Sequence, residues 1–359
     1  MSCRWRPAIW IAGFTVMLTG VVHAQTLSNP DLSAIGDMRV IARGPEAADS
    51  AGTGQLAFSF EELEIALNAY LNPYMRADVF MGFSDSGVEI EEANFTVLRG
   101  LPFSMQFNAG KYLLDFGRIN SQHPHQWSWI ERPLMSRAML GPEGLRAIGV
   151  RASVFAAVGD NAVTLTGSAF GSDAFAPEDA PEATAPEKIM GNGRLSVFRQ
   201  IGDYWSAEVG GSYLAGEYAP SGALSLSMGA VDMKVKWRPN AYQAFVWVAE
   251  IDTGHRDIVS ADSLATTTRV EATGAFTSAE MVWRKRFDAG AFFDWTQSPV
   301  VPDAETTAVG GFFGFMPVEE TARFTLVYRH ETSDLYAYAD NSLTLQFLWS
   351  MGPHKTHTF

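Results

Sequence analysis

His123 and His125 flank a single proline, and Glu131 follows a short way behind. Imidazole nitrogens bind zinc or copper well, and an H-x-H pair can supply two ligands of a metal site. No third ligand has a spacing that fixes it. Two readings therefore stand side by side: a metal-binding pair, or two histidines that hydrogen-bond their segment to a neighbouring wall. His354 and His357 form a second pair near the far terminus, expected on the periplasmic side by the strand order and so unable to complete the first. Glu131 and Arg132 are adjacent opposite charges, read as an ion pair that pins the segment or as part of a charged constriction; pinning is favoured, because an internal charge needs a partner. Asp115 and Arg118 invite the same reading. His330, Glu331 and Ser333 are the nearest linear approach to a hydrolase set. Neighbours on a strand point to opposite faces, so His330 and Glu331 cannot cooperate directly. The chain reads as a non-enzyme that requires no cofactor.

The elements that must hold these residues are strands. In Ser342–Met351, Leu343, Leu345, Phe347, Trp349 and Met351 share one face and Ser342, Thr344, Gln346 and Ser350 the other, with Leu348 the exception. Such a strand suits a wall between lipid and a watery lumen. The first 24 residues carry Arg4 and Arg6, the apolar run Ala8 to Val22, then Val22-His23-Ala24. That is the pattern of a cleavable secretory signal over 1–24, with an uncleaved anchor as the minor alternative. Beyond it no stretch of about 18 apolar residues occurs, so a membrane crossing must use strands closed into a barrel. The sole cysteine, Cys3, lies in the signal, which excludes disulfides and thiolate metal sites from the rest. The whole chain carries a net charge of −14, and losing Arg4 and Arg6 makes it more acidic, which disfavours nucleic acid as a partner.

Strands are predicted at 33–43, 55–71, 74–84, 88–98, 104–116, 146–158, 163–173, 191–201, 205–217, 223–238, 241–254, 270–285, 288–298, 306–316, 320–331 and 340–351. Every even-numbered connection is short and the long ones all fall at odd positions, the asymmetry of periplasmic turns against external loops. Residues 25–359 thus read as one transmembrane antiparallel β-barrel of about 16 strands. Arg76, Lys234, Lys236, Arg284, Arg323 and Arg329 are assigned to the lumen against Glu62, Glu64, Asp78, Asp232, Glu280 and Glu331, with a bulge near Gly229 flipping the phase of 223–238. A soluble β-sandwich is the rival fold for the same alternation. The acidic stretch 173–188 reads as a solvated external loop.

The fifth connection, 117–145, is far longer than a hairpin needs, and Trp127, Trp129, Ile130, Leu134, Met135, Met139 and Leu140 make it too apolar for disorder. It is expected to fold into the barrel and narrow it, with Arg118, His123, His125, Glu131 and Arg132 at the constriction. Gly117-Arg118, Asn120, His123-Pro124-His125, Glu131-Arg132-Pro133-Leu134 and Leu140 to Leu145 resemble the long-loop signature of bacterial outer-membrane proteins related to phosphate-selective porins. Some members of that group are labelled zinc-regulated TonB-dependent outer membrane receptors. Asn72-Pro73-Tyr74, Arg76-Ala77-Asp78 and Ala109-Gly110-Lys111 extend the likeness over most of the chain. The resemblance implies a porin-type barrel of sixteen strands. The phosphate selectivity does not follow, because the predicted inner charges are balanced, and too few residues precede the second strand for a receptor plug.

The sequence therefore points to a channel in the outer membrane of a Gram-negative bacterium, passing small hydrophilic solutes or ions by diffusion. Its implied partners are outer-membrane lipid and lipopolysaccharide, and the barrel-assembly machinery during insertion. A homo-trimer fits such barrels, although no subunit face is singled out. The alternatives are a zinc-related receptor or uptake protein using His123 and His125, and a closed barrel serving as an adhesin.

Overall fold

The computed structural model describes residues 30–44, 55–175, 188–218, 224–259, 267–318, 321–335 and 339–352. The signal, the 176–187 part of the acidic stretch, and His354 and His357 lie outside them. The strands are β1 (Asp31–Arg43), β2 (Gln55–Asn72), β3 (Met75–Ser84), β4 (Gly87–Val97), β5 (Met105–Leu113), β6 (Arg146–Val158), β7 (Asn161–Gly171) and β8 (Ile189–Ile201). They continue as β9 (Trp205–Tyr218), β10 (Leu224–Asn240), β11 (Gln243–Val259), β12 (Thr267–Trp283), β13 (Phe287–Gln297), β14 (Glu305–Val318), β15 (Ala322–Ser333) and β16 (Asp340–Met351). Each pairs antiparallel with its neighbours in chain order, and β16 closes on β1 through ten consecutive partners from Ala34↔Met351 to Arg43↔Ser342. Closure rules out the sandwich, which would leave free edges.

Alternation is what drives this wall. Leu343, Leu345, Phe324, Leu326 and Tyr328 point outward and exposed, while Thr344, Gln346, Thr325, Val327 and Arg329 are buried on the inside. The tight turns use the expected chemistry: Asn72 Oδ1 accepts the Tyr74 N–H and Asn240 Oδ1 the Tyr242 N–H, both at 2.8 Å. No helix among the described residues is long and apolar enough to cross a membrane.

Two bulges alter the alternation where it matters. Between Phe80↔Glu92 and Met81↔Ile90 the register slips, so Glu91 is an extra residue in β4; between Asp37↔Glu62 and Met38↔Phe60 it slips again, making Glu61 extra in β2. A bulge lets two consecutive side chains share a face. The acidic pairs Glu61-Glu62 and Glu91-Glu92 both turn inward this way, with Ile90 and Phe60 exposed beyond them.

Three expectations change. The predicted fifth strand, 104–116, ends at Leu113, because Leu114 turns away to bond Leu145. Strands β11 and β12 run on to Val259 and back from Thr267, shortening their connection. The bulge predicted near Gly229 is absent: β10 keeps unbroken register with β9 and β11 from Leu226 to Trp237. Leu224, Leu226, Met228, Ala230 and Asp232 all point inward, and only the character of the inner face changes, from apolar to charged. The reason lies in what that face covers.

Candidate functional site

The long connection between β5 and β6, residues 114–145, lies inside the barrel. Its two ends are tied together at the wall: the Leu114 N–H donates to the Leu145 carbonyl at 3.0 Å. Asn120 completes the clasp. Its Nδ2 donates to the carbonyls of Leu114 (2.8 Å) and Leu145 (3.1 Å), and its Oδ1 accepts the Leu145 N–H at 2.8 Å. From this clasp the chain is pinned by wall carboxylates. Glu250 of β11 accepts the N–H groups of Arg118 (2.6 Å) and Ile119 (3.0 Å) on one oxygen. Gly117 precedes them at φ +60, and a Cβ there would lie 2.7 Å from the Glu250 carboxyl carbon, so glycine is required by both conformation and contact. Ser128 donates to Glu280 of β12 at 2.8 Å. A short helix, α1 (Leu134–Leu140), begins with its Leu134 N–H donating to Asp294 of β13 at 2.8 Å, so a strand supplies the cap that Pro133 cannot. This helix was not anticipated from the strand pattern.

Apolar packing fills the spaces between these bonds. Phe116, Met135, Met139, Leu140 and Leu145 form one core with Leu214, Leu226, Met228, Ala230 and Ala272 of the wall. Ile119, Trp127, Trp129 and Ile130 form a second with Phe276, Phe292, Phe312 and Val327. The inner face of β10 is apolar because this segment, not water, covers it. Helix α1 comes so close to β12 that a Cβ on Gly274 would meet Met135 Sδ at 2.6 Å and its Cβ at 2.7 Å. Gly274→Leu is therefore expected to lift α1 from the wall with an overpacking cost of about 1–3 kcal/mol. Faster proteolysis within 134–141, with the barrel intact, checks this; unchanged protection refutes it.

The charged residues expected at the constriction divide into groups. Arg118 is buried and reaches Glu208 at 2.5 Å and Asp232 at 3.7 Å; Asp232 in turn takes Arg194 Nη2 at 2.9 Å. Arg76 pairs with Asp78 at 2.7 Å and Arg323 with Asp288 at 2.9 Å. Arg329 pairs with Glu331 at 2.8 Å. Lys234 and Lys236 share the inward phase of Asp232 but are only partly buried. The ion pair expected between Glu131 and Arg132 does not form. Glu131 faces Arg329 (3.8 Å) and Arg137 (4.0 Å), while Arg132 is buried over the Trp127 ring at 5.0 Å and donates to the Glu143 carbonyl at 3.1 Å. Consecutive residues in extended backbone diverge, which separates the two. Burial, with Arg146 nearby, lowers the Arg132 guanidinium to about 10. Asp115 likewise pairs with Arg151 at 3.1 Å and not with Arg118. His330, Glu331 and Ser333 are held apart, bonded to Asn341, Arg329 and Thr306 respectively.

His123 and His125 stand on a 3-10 turn, Pro124–Gln126, with their rings 5.5 Å apart and nearly parallel. Both face the β2 and β4 acids. Nδ1 of His123 lies 3.0 Å from Glu64 Oε2 and 3.3 Å from Glu91 Oε2, its Nε2 lies 2.8 Å from Glu92 Oε1, and His125 Nδ1 lies 3.5 Å from Glu64 Oε2. Arg146 donates to the other oxygen of Glu91 at 2.8 Å. Burial disfavours charge on His123, but the carboxylates outweigh it and hold its pKa well above the usual histidine range. Sequence reasoning placed Glu64 on the inner face and missed Glu91, Glu92, Glu250 and Asp294. The adjacent acids of Glu91-Glu92 within an alternating strand were the available signal of a bulge.

A closed sixteen-stranded antiparallel barrel is the fold of the outer-membrane porins, and comparison with solved structures bears this out at the level of fold. The chain superposes on an anion-selective porin from Comamonas acidovorans with a TM-score of 0.57 at 12% identity, covering 90% of this chain and 100% of that one. For the outer membrane channel DcaP of Acinetobacter baumannii the values are 0.55 and 11%, over 90% and 96%. For the trimer form of OmpT of Vibrio cholerae they are 0.56 and 11%, over 90% and 100%. No family model matches the chain. An uncharacterized protein of Aquifex aeolicus (strain VF5) is 41% identical over 101 residues, 28% of this chain, and the match spans about a fifth (21%) of that relative's length.

Proposed function

We propose that this protein is a porin-like channel of a bacterial outer membrane, through which small hydrophilic solutes or ions diffuse passively, and that the loop 117–145 constricts it. The observation that supports this reading is the anchoring of that loop to inward-facing acids on β2, β4, β11, β12 and β13. The likeness of the loop residues to the phosphate-selective porin group supports the same role for the loop. Paired inner charges give no run of basic side chains, so phosphate selectivity is not part of the proposal. Of the expected constriction residues, the partly exposed Glu131, Arg76 and Lys236 are the ones we assign to a passing ion, while Arg118, His123 and Arg132 would hold the loop in place. Cleavage of 1–24, contact with lipid and lipopolysaccharide, insertion by barrel-assembly machinery and assembly as a homo-trimer complete the reading.

Purified protein in planar bilayers tests it. Discrete conductance steps are expected, with reversal potentials across a salt gradient showing mild cation preference because the chain is acidic overall. Anion preference removes the selectivity reading. Absence of any steps removes the channel.

A further inference from the structure

Where the loop meets β2 and β4, the geometry points to a binding site for a divalent transition cation of the zinc class, formed by Glu64, Glu91, His123 and His125. Three features of this junction are those of a metal centre. The first is the ligand spacing. Zinc bonds of about 2.0–2.1 Å arranged tetrahedrally set neighbouring ligand atoms about 3.3 Å apart. The separations here are 3.0 Å from His123 Nδ1 to Glu64, 3.3 Å from His123 Nδ1 to Glu91 and 3.5 Å from His125 Nδ1 to Glu64. The ligand atoms of Glu64, His123 and His125 all fall within 4.8 Å of one another.

The second is that two of these atoms meet in an enclosed ion pair with no well-aligned hydrogen bond. Nδ1 of His123 and Oε2 of Glu91 are buried without a hydrogen bond, on residues only 6% and 3% exposed, and they face each other. Buried polar atoms without a well-aligned hydrogen bond are costly, and an ion between them would engage both directly. The third is the outer support. A metal-bound histidine commonly engages a carboxylate through its second nitrogen, which fixes the ring and its tautomer. Glu92 stands 2.8 Å from His123 Nε2 and Arg146 holds Glu91 Oε1, so Nδ1 and Oε2 are the atoms turned toward the ion, which on binding would displace the proton that Nδ1 carries among these carboxylates.

Mixed nitrogen and carboxylate donors select zinc-like ions over calcium or magnesium, which take all-oxygen sets. The charge balance agrees: Glu62, Glu64, Glu91 and Glu92 gather around this junction against Arg146 and His123, so acids are in excess where a divalent cation would sit. The ion would join loop to wall, since two ligands come from the loop and two from strands on either side of β3. It would thus be a staple that sets how firmly the loop is held. This extends the channel reading by adding a control on its loop, but the binding itself rests only on the loop's position.

The test uses the full folded protein in detergent, stripped with a chelator and titrated with zinc by calorimetry, with cobalt absorption reporting the coordination geometry. One ion per chain and a tetrahedral cobalt spectrum are expected. The double variant His123→Ala/His125→Ala should weaken zinc binding at least about 100-fold, and Glu91→Gln, which keeps the side chain's shape, about tenfold or more. Zinc uptake that is absent in the wild type, or unchanged in both variants, overturns the site. Bilayer recordings separate the two proposals. Zinc binding without conductance removes only the channel, and conductance without zinc binding removes only the site.

Discussion

Glu250→Ala will release the start of the internal loop from the barrel wall. One carboxylate oxygen accepts two backbone N–H groups, from Arg118 and Ile119, in a fully enclosed position. Hydrogen bonds to a charged acceptor contribute about 1.5–3 kcal/mol each, and amides left buried without partners add a penalty of similar size. The expected loss in the free energy holding the loop is therefore about 3–5 kcal/mol. Hydrogen exchange should accelerate at Arg118 and Ile119 by a factor of about 100 or more while the strand amides stay protected. Glu250→Gln keeps a carbonyl oxygen and should lose roughly half as much. Equal protection in wild type and Glu250→Ala would show that the apolar cores alone fix the loop.

Excising the loop will open the barrel. Asn120 and the Leu114–Leu145 hydrogen bond already bring the two ends together, so replacing residues 121–143 with a short glycine linker leaves β5 and β6 paired from Met105↔Val154 to Leu113↔Arg146. Single-channel conductance is expected to rise several-fold, because the side chains of Trp127, Trp129, Met135 and Met139 leave the interior. The excised form should also melt at a lower temperature, since Phe276, Phe292, Phe312, Leu226 and Met228 would face water, each losing up to about 1.5–3 kcal/mol of burial. An unchanged conductance would place the narrowest point elsewhere.

The barrel was legible because a strand's period of two is short and strict. The candidate strands declared themselves by alternation and by the one-sided lengths of their connections, and Asn72-Pro73 or Pro239-Asn240 marked the reversals. The inward fold of the loop was legible too, through an excess of apolar residues that a solvated connection would not carry. What failed was pairing. Glu131 with Arg132 and Asp115 with Arg118 were joined by proximity in sequence, but Glu131 and Arg118 find Arg329 on β15 and Glu208 on β9, strands that only closure brings near, while Asp115 finds Arg151 beyond the loop on β6 and Arg132 stacks on Trp127 within the loop. The inner face of β10 misled for a related reason. An apolar stretch pointing inward looks like a phase error when the inside is taken as water, and it makes sense only once the loop is known to lie against it. The His123 cluster was half visible: two imidazoles in sequence and Glu64 by alternation, with Glu91 and Glu92 supplied by a bulge that alternation hides.

The contacts that hold the loop join residues far apart along the chain, 132 positions for Arg118 to Glu250 and 160 for Leu134 to Asp294. During synthesis the loop emerges long before β11, β12 and β13, so its tryptophans and methionines wait without their destination. The late strands must then wrap around a plug that is already present, or the plug must thread a cylinder that is nearly shut. Wrapping involves far less rearrangement, and contacts of such span are slow to form. Assembly of this protein should therefore be limited by the last third of the chain, and truncations there should yield an intermediate that is sticky, protease-sensitive and dependent on holdase chaperones.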